Sequence, residues 1–283
     1  MKRDFCVGSE WLYYKIYTGI QVADNILAEK LHPIIEDLSS KNTIEKWFII
    51  RYKDPDEHLR LRFYSSKPEN LLQVISKLHT VFEELMQQDI IWKIQIDTYQ
   101  REIERYGVKT IEDSESLFCY DSEMMLNYIS LQPYFINENT QLLFSFLAID
   151  SFLNSFSLTI EQKLELTSKL QESFKKEFNA NKILKKEFDK NFRALSDEIT
   201  SFLNYKQEGD FSELYDLVRV KEKNTIKLIS GIKDKLEIPL DFFLSSHIHM
   251  MINRQFTSKQ RQYECLIYDH LHRFYKRIFH SLS

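Results

Sequence analysis

Trp47-Phe48-Ile49-Ile50-Arg51-Tyr52-Lys53-Asp54-Pro55-Asp56-Glu57-His58-Leu59-Arg60-Leu61-Arg62-Phe63-Tyr64 reads as a β-hairpin. Two aromatic and β-branched runs flank Asp54-Pro55-Asp56, a turn-forming triplet. Strand residues two apart share a face, so His58, Arg60 and Arg62 point one way and Leu59, Leu61 and Phe63 the other. The apolar set belongs against helices, which leaves two guanidiniums side by side on the opposite face.

Outward from the hairpin, Leu12-Tyr13-Tyr14-Lys15-Ile16-Tyr17 is a further strand that stops at Thr18-Gly19. Ile20, Ile26, Leu27, Leu31 and Ile34 then recur at helical spacing, and the polar run Ser39 to Thr43 leads into the hairpin. Beyond it a helix starts near Pro68 and carries Leu71, Ile75, Leu78, Val81 and Leu85. Ile91 to Ile96 is a last strand. The order β-α-β-β-α-β predicts a ferredoxin-like sheet, with the first and third strands central and the last on an edge beside the first. After Gly107 the pattern turns helical, over 114–131, 138–156, 159–178, 181–206, 211–234, 240–256 and 259–280. The expected class is α+β: one domain over 1–283, with an α+β part at 1–107 and a mainly helical part at 108–283.

The 283 residues carry a net charge of -4, with 43% hydrophobic and 28% charged residues. That balance gives no electrostatic reason for nonspecific binding to nucleic acid or an anionic membrane, so an anion site has to be a local basic cluster. With five glycines there is no GxxxxGK[ST] or GxGxxG phosphate loop. Three scattered cysteines, Cys6, Cys119 and Cys265, without CxxC fit a reduced setting. The N-terminus lacks an apolar signal region and no apolar run approaches the ~20 residues of a membrane span. A cytoplasmic protein is expected.

On spacing alone Arg60 and Arg62 read first as a solvated pair or as surface salt-bridge partners. Glu102 and Arg105, in Arg101-Glu102-Ile103-Glu104-Arg105-Tyr106-Gly107, are three apart and read as an ion pair on a helical turn. In His247-Ile248-His249-Met250-Met251-Ile252-Asn253-Arg254, His249 and Asn253 are four apart, so the amide is placed to orient the imidazole. His247 and His249 diverge by about 200° on a helix, which argues against a shared metal ion. No metal and no cofactor are expected.

Four ordered motifs nevertheless resemble one family. They are Trp47…Arg51-Tyr52-x-Asp54-Pro55-x-x-His58-Leu59-Arg60-Leu61-Arg62-Phe63, then Asp97-Thr98-Tyr99-Gln100-Arg101-Glu102-Ile103-Glu104-Arg105-Tyr106-Gly107, Glu115-x-Leu117-Phe118-x-x-Asp121-Ser122, and His249-Met250-x-x-Asn253-Arg254. Together they resemble the C-terminal domain of class I lantibiotic dehydratases, also called the thiopeptide-type bacteriocin biosynthesis domain, from about Trp11 to Phe279. One departure is Val108 where the family usually has a second glycine after Tyr106-Gly107.

The resemblance implies a lyase that eliminates glutamate from glutamylated Ser or Thr of a ribosomally made precursor peptide, leaving dehydroalanine or dehydrobutyrine. It maps the elimination site to Arg60, Arg62, Glu102, Arg105 and His249. It implies a freestanding component that works with a separate glutamyl-tRNA-dependent glutamylating subunit, without direct nucleic-acid binding of its own. Full-length members dimerise, so a homodimer is an expectation too. Two alternatives stay open: a pyridine-forming [4+2] cycloaddition enzyme of the same fold, and a noncatalytic chain that binds the precursor peptide.

Overall fold

The computed structural model describes residues 1–135, 137, 139–179, 182–204 and 211–282. The chain divides into two compact units. Unit 1 holds Met1–Pro133, Lys235–Ile238 and Asn253–Ser258; unit 2 holds Tyr134–Asp234, Pro239–Ile252 and Lys259–Ser283.

Unit 1 is built on a four-stranded antiparallel sheet of β2 (Trp11–Thr18), β3 (Lys46–Lys53), β4 (Glu57–Tyr64) and β5 (Ile91–Asp97). Its order is β3-β4-β2-β5, so the first and third strands of the predicted series are the central pair. A short ribbon pairs β1 (Asp4–Phe5) with β6 (Tyr99–Gln100). Two-residue strands are too short to show a period in the sequence.

Apolar alternation decides which face is covered. Leu59, Leu61 and Phe63 of β4 and Leu12, Tyr14 and Ile16 of β2 are buried on one side. The register pairs Ile16 with Leu59, Tyr14 with Leu61 and Leu12 with Phe63, so the two central strands present one continuous apolar patch. The helical connections supply its cover. Helix α3 (Leu71–Gln87), entered through a turn at Pro68–Asn70, buries Leu71, Val74, Leu78, Phe82 and Leu85. Phe82 meets the Tyr14 ring edge-on at 5.4 Å. The first connection runs as α1 (Ile20–Asn25), a π-helical turn at Ile26–Leu31 and α2 (His32–Ser40). A π turn inserts an extra residue into the helical period. Leu31 at its end and Ile35 and Leu38 beyond it are buried, so Ile35 occupies the core position that simple periodicity gives to Ile34.

After β6 come α4 (Ile103–Tyr106) and α5 (Ile111–Leu131). Helix α5 packs along the edge strand β3, where the Ser122 hydroxyl accepts from the Ile49 N–H at 3.1 Å. Asn253 caps the same edge further on. Its Oδ1 accepts from the Arg51 N–H at 3.0 Å and its Nδ2 donates to the Arg51 carbonyl at 2.9 Å. An edge strand whose groups are met this way is closed to further pairing. Gly107 sits between α4 and α5 at φ +79, where an added Cβ would lie 2.8 Å from Thr110 Oγ1, so both conformation and space call for glycine.

Unit 2 is helical: α6 (Thr140–Ser155), α7 (Ile160–Glu177), α8 (Lys182–Leu203), α9 (Ser212–Lys235), most of α10 (Leu240–Gln255) and α11 (Gln260–Leu282). Helix α6 buries every residue from Leu142 to Leu153 and is its central element. Helix α11 packs on α7, with Tyr268 against Phe174 at 5.1 Å between rings. The predicted helical segments correspond closely to these elements; residues 138, 181, 205 and 206 of those predictions lie outside the described residues. Among the described residues no helix is long and apolar enough to cross a membrane, and no group of three or more His, Cys, Asp or Glu could hold a metal ion.

Candidate active site

Across the opposite face of the unit 1 sheet, β2 sets Tyr17 beside His58, Lys15 beside Arg60 and Tyr13 beside Arg62. From the other side β3 brings Tyr52 to His58 and Phe48 to Arg62. Each of these side chains follows from the period of two, so a single register places the whole set.

Arg60 is half-buried and lies flat on Tyr52, its guanidinium carbon 3.4 Å from the ring centroid. Its Nε donates to His58 Nε2 at 3.1 Å, and His58 Nδ1 donates to the Asp56 carbonyl at 2.8 Å. The imidazole is therefore neutral, held by its own turn and packed between the tilted rings of Tyr17 and Tyr52. Burial, and then the positive charges of Arg60 and Lys15, lower the His58 pKa from 6.5. With Nε engaged, Arg60 keeps its terminal amino groups for an incoming anion.

Arg62 is more extreme. It is 6% exposed, and its Nε and Nη1 have no hydrogen-bond partner among the described residues. Aromatic rings surround it: Tyr13 at 4.1 Å, Phe48 at 5.1 Å and Tyr99 at 5.1 Å. Burial lowers its pKa, while Tyr13, Tyr99 and Glu102 act in the opposite sense. A guanidinium stays charged in proteins all the same. Cation–π contacts return roughly 2 kcal/mol when desolvated, whereas an unmet buried charged donor costs about 1–3 kcal/mol or more. A carboxylate forked onto this group would satisfy it as the rings cannot.

Tyr99 links this cage to the rest of unit 1. Its hydroxyl donates to Glu115 Oε1 at 2.9 Å. Arg101 grips the same carboxylate with two bonds of 2.7 Å and also reaches Glu112 and the Lys2 carbonyl, both at 3.1 Å. Burial pushes the Tyr99 hydroxyl well above its ordinary pKa, so it remains a donor. Lys15 and Asp97 close the face towards β5 with a 2.5 Å ion pair that raises the lysine pKa and lowers the aspartate's.

Of the predicted residues, Arg60 and Arg62 share the expected face. Glu102 and Arg105 form the expected i,i+3 ion pair, 3.1 Å long and exposed, and Glu102 is among the charges acting on Arg62. His249 lies in unit 2, where its Nδ1 meets Glu264 Oε1 at 2.8 Å. One expectation is corrected here. The Asn253 amide does not orient the imidazole; both of its ends are taken by the Arg51 backbone. Spacing assigns no role to Tyr13, Tyr52, Tyr99 or Glu264, although Tyr52 and Tyr99 lie within the motifs quoted above. The alternation of Tyr13, Lys15 and Tyr17 could have flagged the first, but Glu264 has no local signal. A groove of about 500 Å³ lined by His32, Glu36, Lys46, Cys119 and Glu123 contains none of these residues.

The family described as "Lantibiotic biosynthesis dehydratase C-term" matches residues 11–275. The chain belongs to that family. It is 26% identical over 255 residues to the subtilin biosynthesis protein SpaB of Bacillus subtilis, covering 87% of this chain and 24% of SpaB. It is 27% identical over 279 residues to the nisin biosynthesis protein NisB of Lactococcus lactis subsp. lactis, covering 89% of this chain and 26% of NisB. The chain thus spans about a quarter of the length of these relatives. Among solved structures, the tRNA-dependent lantibiotic dehydratase MibB from Microbispora sp. 107891 superposes with a TM-score of 0.78 at 15% identity, over 99% of this chain and 29% of MibB. The pyridine synthase TbtD from thiomuracin biosynthesis superposes with a TM-score of 0.61 at 9% identity, over 97% of this chain and 100% of TbtD. These two likenesses describe the fold of this lantibiotic dehydratase family member.

Proposed function

We propose that this chain is a lyase that eliminates glutamate from glutamylated Ser or Thr of a precursor peptide, leaving dehydroalanine or dehydrobutyrine. The observation that carries this reading is Arg62, a buried, aromatic-walled guanidinium whose Nε and Nη1 are unmet among the described residues. In the reaction a base takes the α-proton, and the C–H electron pair is held as an enolate-like carbanion. That pair forms the Cα=Cβ bond as the Cβ–O bond breaks, and the electrons of the Cβ–O bond leave with glutamate as a carboxylate. Negative charge builds on the enolate-like carbonyl and on the departing carboxylate, where preorganised cations lower the barrier most. Arg62 and Arg60 receive these anions, Arg105 with Glu102 supports them, and His249 transfers the proton.

Under this reading residues 1–283 are one family domain with a ferredoxin-like sheet. It acts in the cytoplasm after a separate glutamyl-tRNA-dependent subunit, and forms a homodimer. Incubation with a glutamylated precursor peptide, followed by mass spectrometry, tests it. Release of glutamate with formation of the alkene is expected. An unchanged but bound glutamyl peptide would replace the enzyme with a binding partner. Cyclisation of an already dehydrated peptide would replace elimination with pyridine formation.

A further inference from the structure

The His249 imidazole occupies a built setting within unit 2. Glu264, on α11 and 1% exposed, receives three donors: His249 Nδ1 at 2.8 Å and the Tyr268 hydroxyl at 3.1 Å on Oε1, and Arg261 Nη1 at 2.9 Å on Oε2. Arg261 is fixed in turn by Glu177 and lies over the Phe174 ring at 4.1 Å. The carboxylate therefore has little freedom to turn away. An ionised carboxylate only accepts, so the hydrogen must sit on Nδ1 of the imidazole. The His249 side chain is 31% exposed, and its Nε2 makes no hydrogen bond to another described residue.

We infer that Glu264 is a positioning residue for His249: it fixes the Nδ1–H tautomer and leaves Nε2 as the nitrogen that exchanges the substrate proton. The inference rests on the elimination reading above, in which His249 transfers that proton. A carboxylate behind an imidazole holds the ring in one orientation and stabilises the imidazolium formed when Nε2 takes a proton. A plain structural role, stapling α10 to α11, would need neither a particular tautomer nor a particular charge. The two therefore separate by experiment.

The ring nitrogens of His249 are observed by ¹⁵N NMR in the full chain, and single-turnover elimination from a glutamylated peptide is followed in parallel. The wild type should show a protonated Nδ1 and a bare Nε2. Glu264→Gln should mix the tautomers and lower kcat by about a hundredfold or more, towards the ~10⁴-fold seen when a triad carboxylate is neutralised, with KM within about threefold. A wild-type Nε2–H tautomer overturns the inference without need of any variant, whatever the variant's folding. So does a Glu264→Gln variant with wild-type kcat when His249→Ala is inactive, and that result leaves the elimination reading intact. Wild-type rates in both variants would instead remove His249 from the elimination reading itself.

Discussion

Arg62 and Arg101 are two buried arginines of unit 1 that share Tyr99 and stand in opposite conditions. Arg101, with a side chain 4% exposed, has its donors met by two carboxylates and a carbonyl. Arg62, equally hidden, has three aromatic rings around it, and its Nε and Nη1 are unmet among the described residues. Folding alone accounts for Arg101, because it neutralises Glu115 and ties β6 to α5. It does not account for Arg62, since an unpaired buried charge lowers stability. A group kept at a cost to the fold points to a use outside it, and under the proposed elimination an arriving carboxylate would supply that use.

The contrast breaks most visibly in stability. Arg101→Met should cost about 3–5 kcal/mol in urea unfolding, because Glu115 is left buried and uncompensated. Arg62→Met should be neutral or stabilise by up to about 1–4 kcal/mol, since a similar volume stays and an unmet charge goes. Equal losses in the two variants would show that Arg62 is structural after all.

Tyr99→Phe sharpens the comparison from the residue between them. It removes the hydroxyl bond to buried Glu115 and keeps the ring beside Arg62. A loss of about 1–3 kcal/mol is expected with the elimination rate within roughly threefold. A variant of unchanged stability but collapsed activity would move Tyr99 from the wall of the site into its chemistry.

A smaller effect comes from His58. Its folded pKa lies below its ordinary 6.5, so the folded state binds its proton less readily than the unfolded chain does. The stability that goes with neutral His58 is fully present above pH ~6.5 and is lost as pH falls towards the folded value. Urea midpoints measured from pH 8 down to pH 5 should therefore decline more steeply for the wild type than for His58→Asn. Parallel curves would contradict the neutral imidazole that holds Arg60.

Much of unit 1 was legible in the sequence because period-two alternation acts locally. His58, Arg60 and Arg62 were placed on one face by spacing, and the strand order follows from one supersecondary pattern. The partners were not legible. Arg62 looked like a surface arginine because nothing in His58-Leu59-Arg60-Leu61-Arg62 shows that Phe48, Tyr13 and Tyr99, from three other strands, wall it in. Likewise Asn253, one turn from His249 in sequence, was an obvious mate for the imidazole. The edge strand β3 instead claims its amide, since unmet backbone groups have few other ways to be satisfied there. Glu264 is fifteen residues from His249 on another helix, and only packing brings the two together.

The most direct measurement is the rate at which Arg62→Met releases glutamate from a glutamylated precursor peptide, taken with its urea midpoint in the same preparation. The account predicts a chain at least as stable as the wild type whose elimination is slowed by about a hundred- to a thousandfold. A stable Arg62→Met variant that eliminates glutamate at the wild-type rate would contradict it.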